Sequence, residues 1–334
     1  MMWARHKTLI AVAAAVLLAG LVVGSFLVLR PDARARGAAA PSPSPSPSAT
    51  GPLLSPFTGE PVPSLNRVLA VKIDNIVNAR PQTGLNHADI VYVLPVEGGL
   101  SRFLAIFSSH YPPVIGPVRS AREDDLPLLH QFGRPAFAYS GATAALLPYI
   151  HNHARIVNLY AGTTRGYFRD LSRIAPYNLY AHTRTLLAQA RGASKARDIG
   201  FRFGPPPAGG KPTRSAAASY PAASFRFTWS ASKGRWLVSI DGARAVTSSG
   251  VRLSAATVVI QYTKVRKSRF LEYGFNPPFA KSTGSGTALV LCDGKAWKVH
   301  WSRPSWNVGT TFTTASGQRM TFAPGQVWVV LTQR

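Results

Sequence analysis

HADIVYVLPVEGGLSRFLAIFSS, His87 to Ser109, carries two apolar runs on either side of the glycine pair Gly98-Gly99. The first runs from Asp89 to Val96 and the second from Ser101 to Phe107. Both are rich in β-branched and aromatic residues and bounded by turn formers, which is the composition of strands. A glycine pair supplies the positive φ that a tight hairpin turn demands. The segment predicts an antiparallel hairpin, with Pro95 breaking the first strand just before Glu97.

Upstream, RVLAVKIDN (Arg67 to Asn75) reads as a further strand through Val68, Leu69, Val71 and Ile73. Downstream, helical patterns cover Asp124 to Gln131, Ala142 to His151 and Thr183 to Arg191, so the first half is mixed α/β. Gly, Pro, Ala and Ser then dominate, with GPPPAGGKP at the centre of a linker or long surface loop. Beyond it come short strands: SFRFTW, RWLVSID, TVVIQYTKV, TALVLCDGKAWKVHWSR and QVWVVL. Asp293-Gly294 between two apolar runs is a strong hairpin signal. The expected fold class is α+β. A mixed α/β domain covers residues 63–195, the linker or loop 196–223, and a mostly-β domain 224–334.

The N-terminus has a different character. Arg5, His6 and Lys7 precede an uncharged apolar run of twenty-two residues, Thr8 to Leu29. At ~1.5 Å per residue that spans a hydrocarbon core, and it exceeds the apolar region of a cleavable signal peptide. Residues 1–29 are therefore expected to form a cytoplasmic tip and transmembrane signal-anchor. Residues 30–62 are expected to be a disordered Pro/Ser-rich stalk, with PSPSPSPS (Pro41 to Ser48) favouring extended polyproline II. Basic residues flank the apolar run on both sides, so the positive-inside count does not orient it. The stalk places the body outside the membrane.

The net charge is +25, and it is unevenly spread. Residues 51–194 hold thirteen Lys/Arg against eight acids, whereas residues 195–334 hold twenty against four. Such a positive field attracts polyanions. Outside a cell these are lipid head groups or anionic wall polymers, and no nucleic-acid partner is expected. The single cysteine, Cys292, excludes an intrachain disulfide and any cysteine metal cage.

VKIDNIVNARPQTGLNHADIVYVLPVEGGLSRFLAIF, then IGPVRSAR, then APYNLY, resembles the YerB-like family of candidate bacterial lipoproteins. VVIQYTK, GSGTALVLCDGKAWKVHW and FAPGQVWVVL resemble that family's second domain. The resemblance runs from Asn66 to Leu331 and implies an extracytoplasmic two-domain protein held at a membrane; it names no activity. Three features depart from the family pattern. The lipid-carrying cysteine is absent, Tyr177 stands where histidine is usual, and Pro95 breaks a strand that usually runs on.

The chemistry-bearing residues gather around GPVRSAR (Gly116 to Arg122) and the acids Glu123, Asp124 and Asp125 behind it. Asp74, Glu97 and Asp125 are candidate catalytic carboxylates. Asn75, Arg80, Asp89, Arg102, Arg119, Arg122, Asn178 and Tyr180 are candidate ligand-binding residues. The arginine fork matches carboxylate and phosphate, so a cleft of these residues suits a ligand bearing either group. The other reading is a structural arginine–carboxylate network. Ser120 lacks a G-x-S-x-G elbow, and the HNH at His151 to His153 is too short to mean much. The acids match no metal loop, so neither a metal nor a cofactor is expected. Lys264, Arg266 and Lys267 are the candidate polyanion contacts. The function expected from all this is an envelope binding protein, the alternative being a hydrolase or transferase acting on wall glycan or phosphodiester-linked polymer.

Overall fold

A computed structural model describes residues 51–334 with the exception of residue 273. The expected anchor and most of the stalk fall on residues 1–50, outside the described residues. Among the described residues no helix is long and apolar enough to cross a membrane.

The hairpin is present as β2 (Ile90–Pro95) and β3 (Ser101–Phe107), paired antiparallel from Ile90 opposite Ile106 to Pro95 opposite Ser101. With β1 (Leu69–Asp74) these strands form the middle of one large sheet. Its other main strands are β4 (Ala136–Tyr139), β5 (Val157–Tyr160), β6 (Thr257–Tyr262), β7 (Gly284–Cys292), β8 (Lys295–Arg303), β9 (Thr311–Thr314) and β10 (Val327–Thr332), and the two-residue strand Lys211–Pro212 pairs with β8 beside them. The order across the sheet is β9-β8-β7-β6-β10-β2-β3-β1-β4-β5. The turn between β7 and β8 is at Asp293-Gly294, both at positive φ, as the Asp-Gly pair predicts.

Because β10 pairs in parallel with β2, the two halves of the sequence complete a single sheet. Strands β2, β3 and β10 are buried along their whole length, so their runs are continuously apolar rather than alternating. Successive side chains still point to opposite faces. Tyr92, Leu94, Leu104 and Ile106 face α1 (Asp125–His130) and α2 (Leu146–His153) through Leu126, Leu129, Leu146 and Ile150. Val91, Val93 and Phe103 face the other way, against α3 (Thr183–Gln189) and a small sheet carrying Phe225, Phe227 and Trp236.

Two expected boundaries move. Residues 51–62 were assigned to the stalk by their prolines and serines, yet Phe57 is 0% exposed and packs edge-on to Phe132 at 5.3 Å. Residues 196–223 are no free linker, because Ile199 and Phe201 enter the core and Ser215–Tyr220 forms a strand. In both segments a few apolar residues outweigh a turn-rich composition.

Candidate functional site

Strands β1, β2, β4, β5, β6 and β10 all run in one direction, given their parallel pairings and the antiparallel β3 between β1 and β2. Their carboxyl ends, from Tyr160 past Asp74 and Pro95 to Thr332 and Tyr262, lie along one edge of the sheet. Edges of this kind are where open sheets hold ligands. The GPVRSAR stretch runs beside this edge: Val118 bridges to Ile73, and the Arg119 amide donates to the Lys72 carbonyl.

A cleft of about 1300 Å³ opens where β2 and β10 meet. Glu97, Arg102, Arg122 and Glu272 line it, with Arg266, Lys267 and Arg334 toward the rim. Glu97 opens the short turn between β2 and β3 and so projects past the sheet edge. Arg122 grips it with both arms, Nε to Oε1 at 2.5 Å and Nη2 to Oε2 at 2.9 Å. The same Nη2 lies 2.7 Å from Glu272 Oε2, off the direction of its N–H bonds. Burial acts to raise the Glu97 carboxyl, but its bonds and charge contact with Arg122 hold it below the usual carboxylate range. Glu272 is raised by burial and by the neighbouring Glu97.

Arg102 is 8% exposed, the second residue of β3, and lines the same cleft. Among the described residues its hydrogen bond is from Nη1 to the Ser120 carbonyl, at 3.2 Å. Its Nε is buried without a hydrogen-bond partner, 3.8 Å from Asp74 Oδ1. Burial and the charge of Arg122 push the guanidinium down to about 10.

The remaining candidates divide among several places. Asp74 separates Arg102 from Arg119, whose Nε donates to Asp74 Oδ2 at 2.8 Å. Arg119 therefore lines a second, smaller cavity with Ser140, Tyr160 and Arg169 rather than the main cleft. Asn75 is spent on local contacts with Ser101, Gln82 and Arg80. Arg80 pairs with Asp241 at 2.7 Å. Asn178 accepts from Arg169, and the Tyr180 hydroxyl accepts from Arg173. Asp89 lies at the opposite end of β2, six residues or roughly 20 Å of extended chain from the cleft. There it accepts the Ser109 amide, and burial pushes it up to about 6. Asp125 is fully buried and paired with Lys72 at 2.6 Å.

All three of the basic run, Lys264, Arg266 and Lys267, are exposed; Arg266 in addition lies over the Phe279 ring at 3.8 Å and pairs with Glu123 at 3.1 Å. Glu123 also accepts from the Ser268 hydroxyl and from the amide and Nε of Arg269. It ties the first half of the chain to the hairpin over residues 264–281, in which Val265–Lys267 pairs with Pro278–Ala280.

Lys72, Glu123 and Glu272 were missed among the site residues. A lone lysine in an apolar strand was a signal for Lys72. Glu272 is one of only four acids in residues 195–334 and follows a run of cations.

Family models divide the chain where its composition shifts. Residues 57–197 match the N-terminal domain, and residues 216–329 the C-terminal domain, of a protein of unknown function, DUF3048. The crystal structure of YerB from Bacillus subtilis superposes with a TM-score of 0.72 at 22% identity, covering 84% of this chain and 97% of that one. YerB of Bacillus subtilis (strain 168), named a candidate lipoprotein, is 50% identical over 74 residues, which span 21% of this chain and 22% of that relative. This chain is a YerB-like protein of the DUF3048 family. The crystal-structure match fixes the fold of the YerB-like body and says nothing further about the cleft.

In this YerB-like chain Tyr177 places its ring 5.6 Å from the Arg119 guanidinium. Its three consecutive acids divide their work: Glu123 holds the hairpin, Asp125 pairs with Lys72, and Asp124 accepts the Ala280 amide at 3.4 Å. Glu123→Gln removes the charge facing two arginines. It is expected to cost about 1.5–3 kcal/mol, as for a hydrogen-bonded charge, and to speed tryptic cleavage within 264–281. Cleavage at the parent rate would contradict the tie.

Burial pushes Asp124 up to about 7, opposed by Lys72 and aided by Asp125. A group raised in the fold stabilises it below the unfolded value near 4, and that contribution is lost as pH rises through 7. Asp124→Asn should therefore gain melting temperature relative to the parent on going from pH 5 to pH 8. A difference that does not change with pH would refute the assignment.

Proposed function

We propose that the cleft at the β2–β10 junction binds an anionic ligand bearing a phosphate or carboxylate, in a protein held at the outer face of a cell membrane. The observation that carries this is Arg102: a buried guanidinium at the cleft whose Nε has no hydrogen-bond partner. Folding removes its water and returns one hydrogen bond and a long ion pair to Asp74, so an anion that reaches it gains charge-assisted hydrogen bonds at small further desolvation. Five cations against two carboxylates along the cleft favour the same ligand. The membrane location is supported by the apolar N-terminal run and by the naming of the YerB relative as a candidate lipoprotein. Lys264 and Lys267, both exposed, are proposed to contact anionic lipid or wall polymer, with Arg266 committed to Glu123.

One observation favours the hydrolase or transferase reading. Glu97 and Glu272 share Arg122 and are pushed in opposite directions, the division expected of a base and an acid.

The test is a melting-temperature series on the full chain with inorganic phosphate, glycerol 3-phosphate, acetate and a neutral sugar. Stabilisation by the anions that weakens with salt, and none by the sugar, is expected. No anion effect would overturn the binding reading. Turnover of wall polymer that is lost in Glu272→Gln would establish the enzymatic one.

A further inference from the structure

The cleft is larger than a phosphate or carboxylate requires. At about 1300 Å³ it exceeds the usual range for sites that enclose a whole small molecule. Its lining also includes the apolar surfaces of Tyr220, Pro221, Val265, Phe275 and Pro278. The Tyr220 hydroxyl is turned away into bonds with the Val93 and Leu331 carbonyls, leaving its ring as an apolar surface. At the tip of the 264–281 hairpin, Leu271 is 55% exposed and Phe275 is 74% exposed. Exposed Lys267 and Arg269 stand just before them in the chain, and Lys267 and Arg334 are on the cleft rim.

A deep arginine pair, the apolar surfaces in the lining and an apolar tip set among cations together make the cleft amphipathic. A free sugar phosphate would leave those surfaces and the tip uncovered. A bilayer surface with anionic head groups complements the tip, since cations gain at that surface and apolar side chains enter its boundary.

Resting on the anion-binding reading above, we infer that the ligand is a lipid phosphate. Its phosphate ester lies against Arg102 and Arg122, its hydrocarbon chain follows Tyr220, Val265 and Phe275, and the hairpin tip meets the lipid surface. Glu97 and Glu272 hold Arg122 in place for the phosphate.

Native mass spectrometry of the full chain released from a neutral detergent tests this. The probes are dioctanoyl phosphatidic acid, dioctanoyl phosphatidylcholine and glycerol 3-phosphate. One phosphatidic acid per chain is expected at concentrations at least tenfold below those needed for glycerol 3-phosphate, with phosphatidylcholine weaker than phosphatidic acid. Phe275→Ser, on an exposed tip where folding is not at stake, should bring the ratio of the two phosphates toward one. Equal binding of both phosphates to the parent chain would overturn the lipid assignment and leave the anion site standing. Binding of neither would overturn both. Phosphatidic acid binding unchanged in Arg102→Gln would place the lipid elsewhere and also overturn the inference.

Discussion

Lys72→Met is expected to lower the unfolding free energy by about 3–5 kcal/mol, the range for a buried ion pair stripped of one partner. Lys72 and Asp125 both have fully buried side chains, and they meet at 2.6 Å in the middle of the molecule. Asp124, also fully buried, stands next to Asp125 in the chain. Without the ammonium, the Asp125 carboxylate is left in a medium that cannot solvate it, beside an Asp124 that burial already pushes toward its neutral form. Asp125 also accepts the Arg122 amide at 2.7 Å, so its distress is passed to the residue that positions Glu97. Lys72→Met combined with Asp125→Asn should recover at least half of the loss, because the amide oxygen can still accept from Arg122 and no charge is stranded. Urea unfolding of the parent, the single variant and the double variant measures both effects. A double variant no more stable than the single one would show that packing, and not the stranded charge, sets the cost.

The hairpin from His87 to Ser109 was legible because its signals are local: two apolar runs, and a glycine pair at positive φ between them. Asp293-Gly294 was legible for the same reason. The parallel pairing of β10 with β2 was not, since it joins residues more than two hundred positions apart and parallel strands leave no turn to announce them. That pairing makes the cleft, so the site could be read only as a set of residue types. Glu97, Arg102 and Arg122 were found because three charged side chains near strand ends are unusual in an otherwise apolar region. Asp89 was grouped with them although it lies at the far end of its strand; alternation tells which face a residue takes but not which end of the sheet gathers a site. The candidate set places Arg119 with Arg122 in one cleft, whereas Asp74 turns Arg119 toward a different cavity.

Arg102→Gln is expected to weaken anion binding at the cleft at least tenfold, about 1.5–3 kcal/mol for the loss of charged hydrogen bonds. Glutamine keeps a donor and much of the length but removes the charge and the fork. Asp74 keeps Arg119 when Arg102 is gone, so the variant strands no carboxylate. Lys233→Gln removes one positive charge from an exposed residue that does not line the cleft, and is the matched control for a general field effect. Its binding should stay within about twofold of the parent, since exposed charges are largely screened beyond a Debye length.

Calorimetric titration of the full chain with glycerol 3-phosphate, with the parent, Arg102→Gln and Lys233→Gln side by side, is the most direct test. A single saturable site in the parent and in Lys233→Gln, weakened at least tenfold in Arg102→Gln, is the predicted result. No saturable binding by the parent, or equal weakening in both variants, would contradict an anion site built around Arg102.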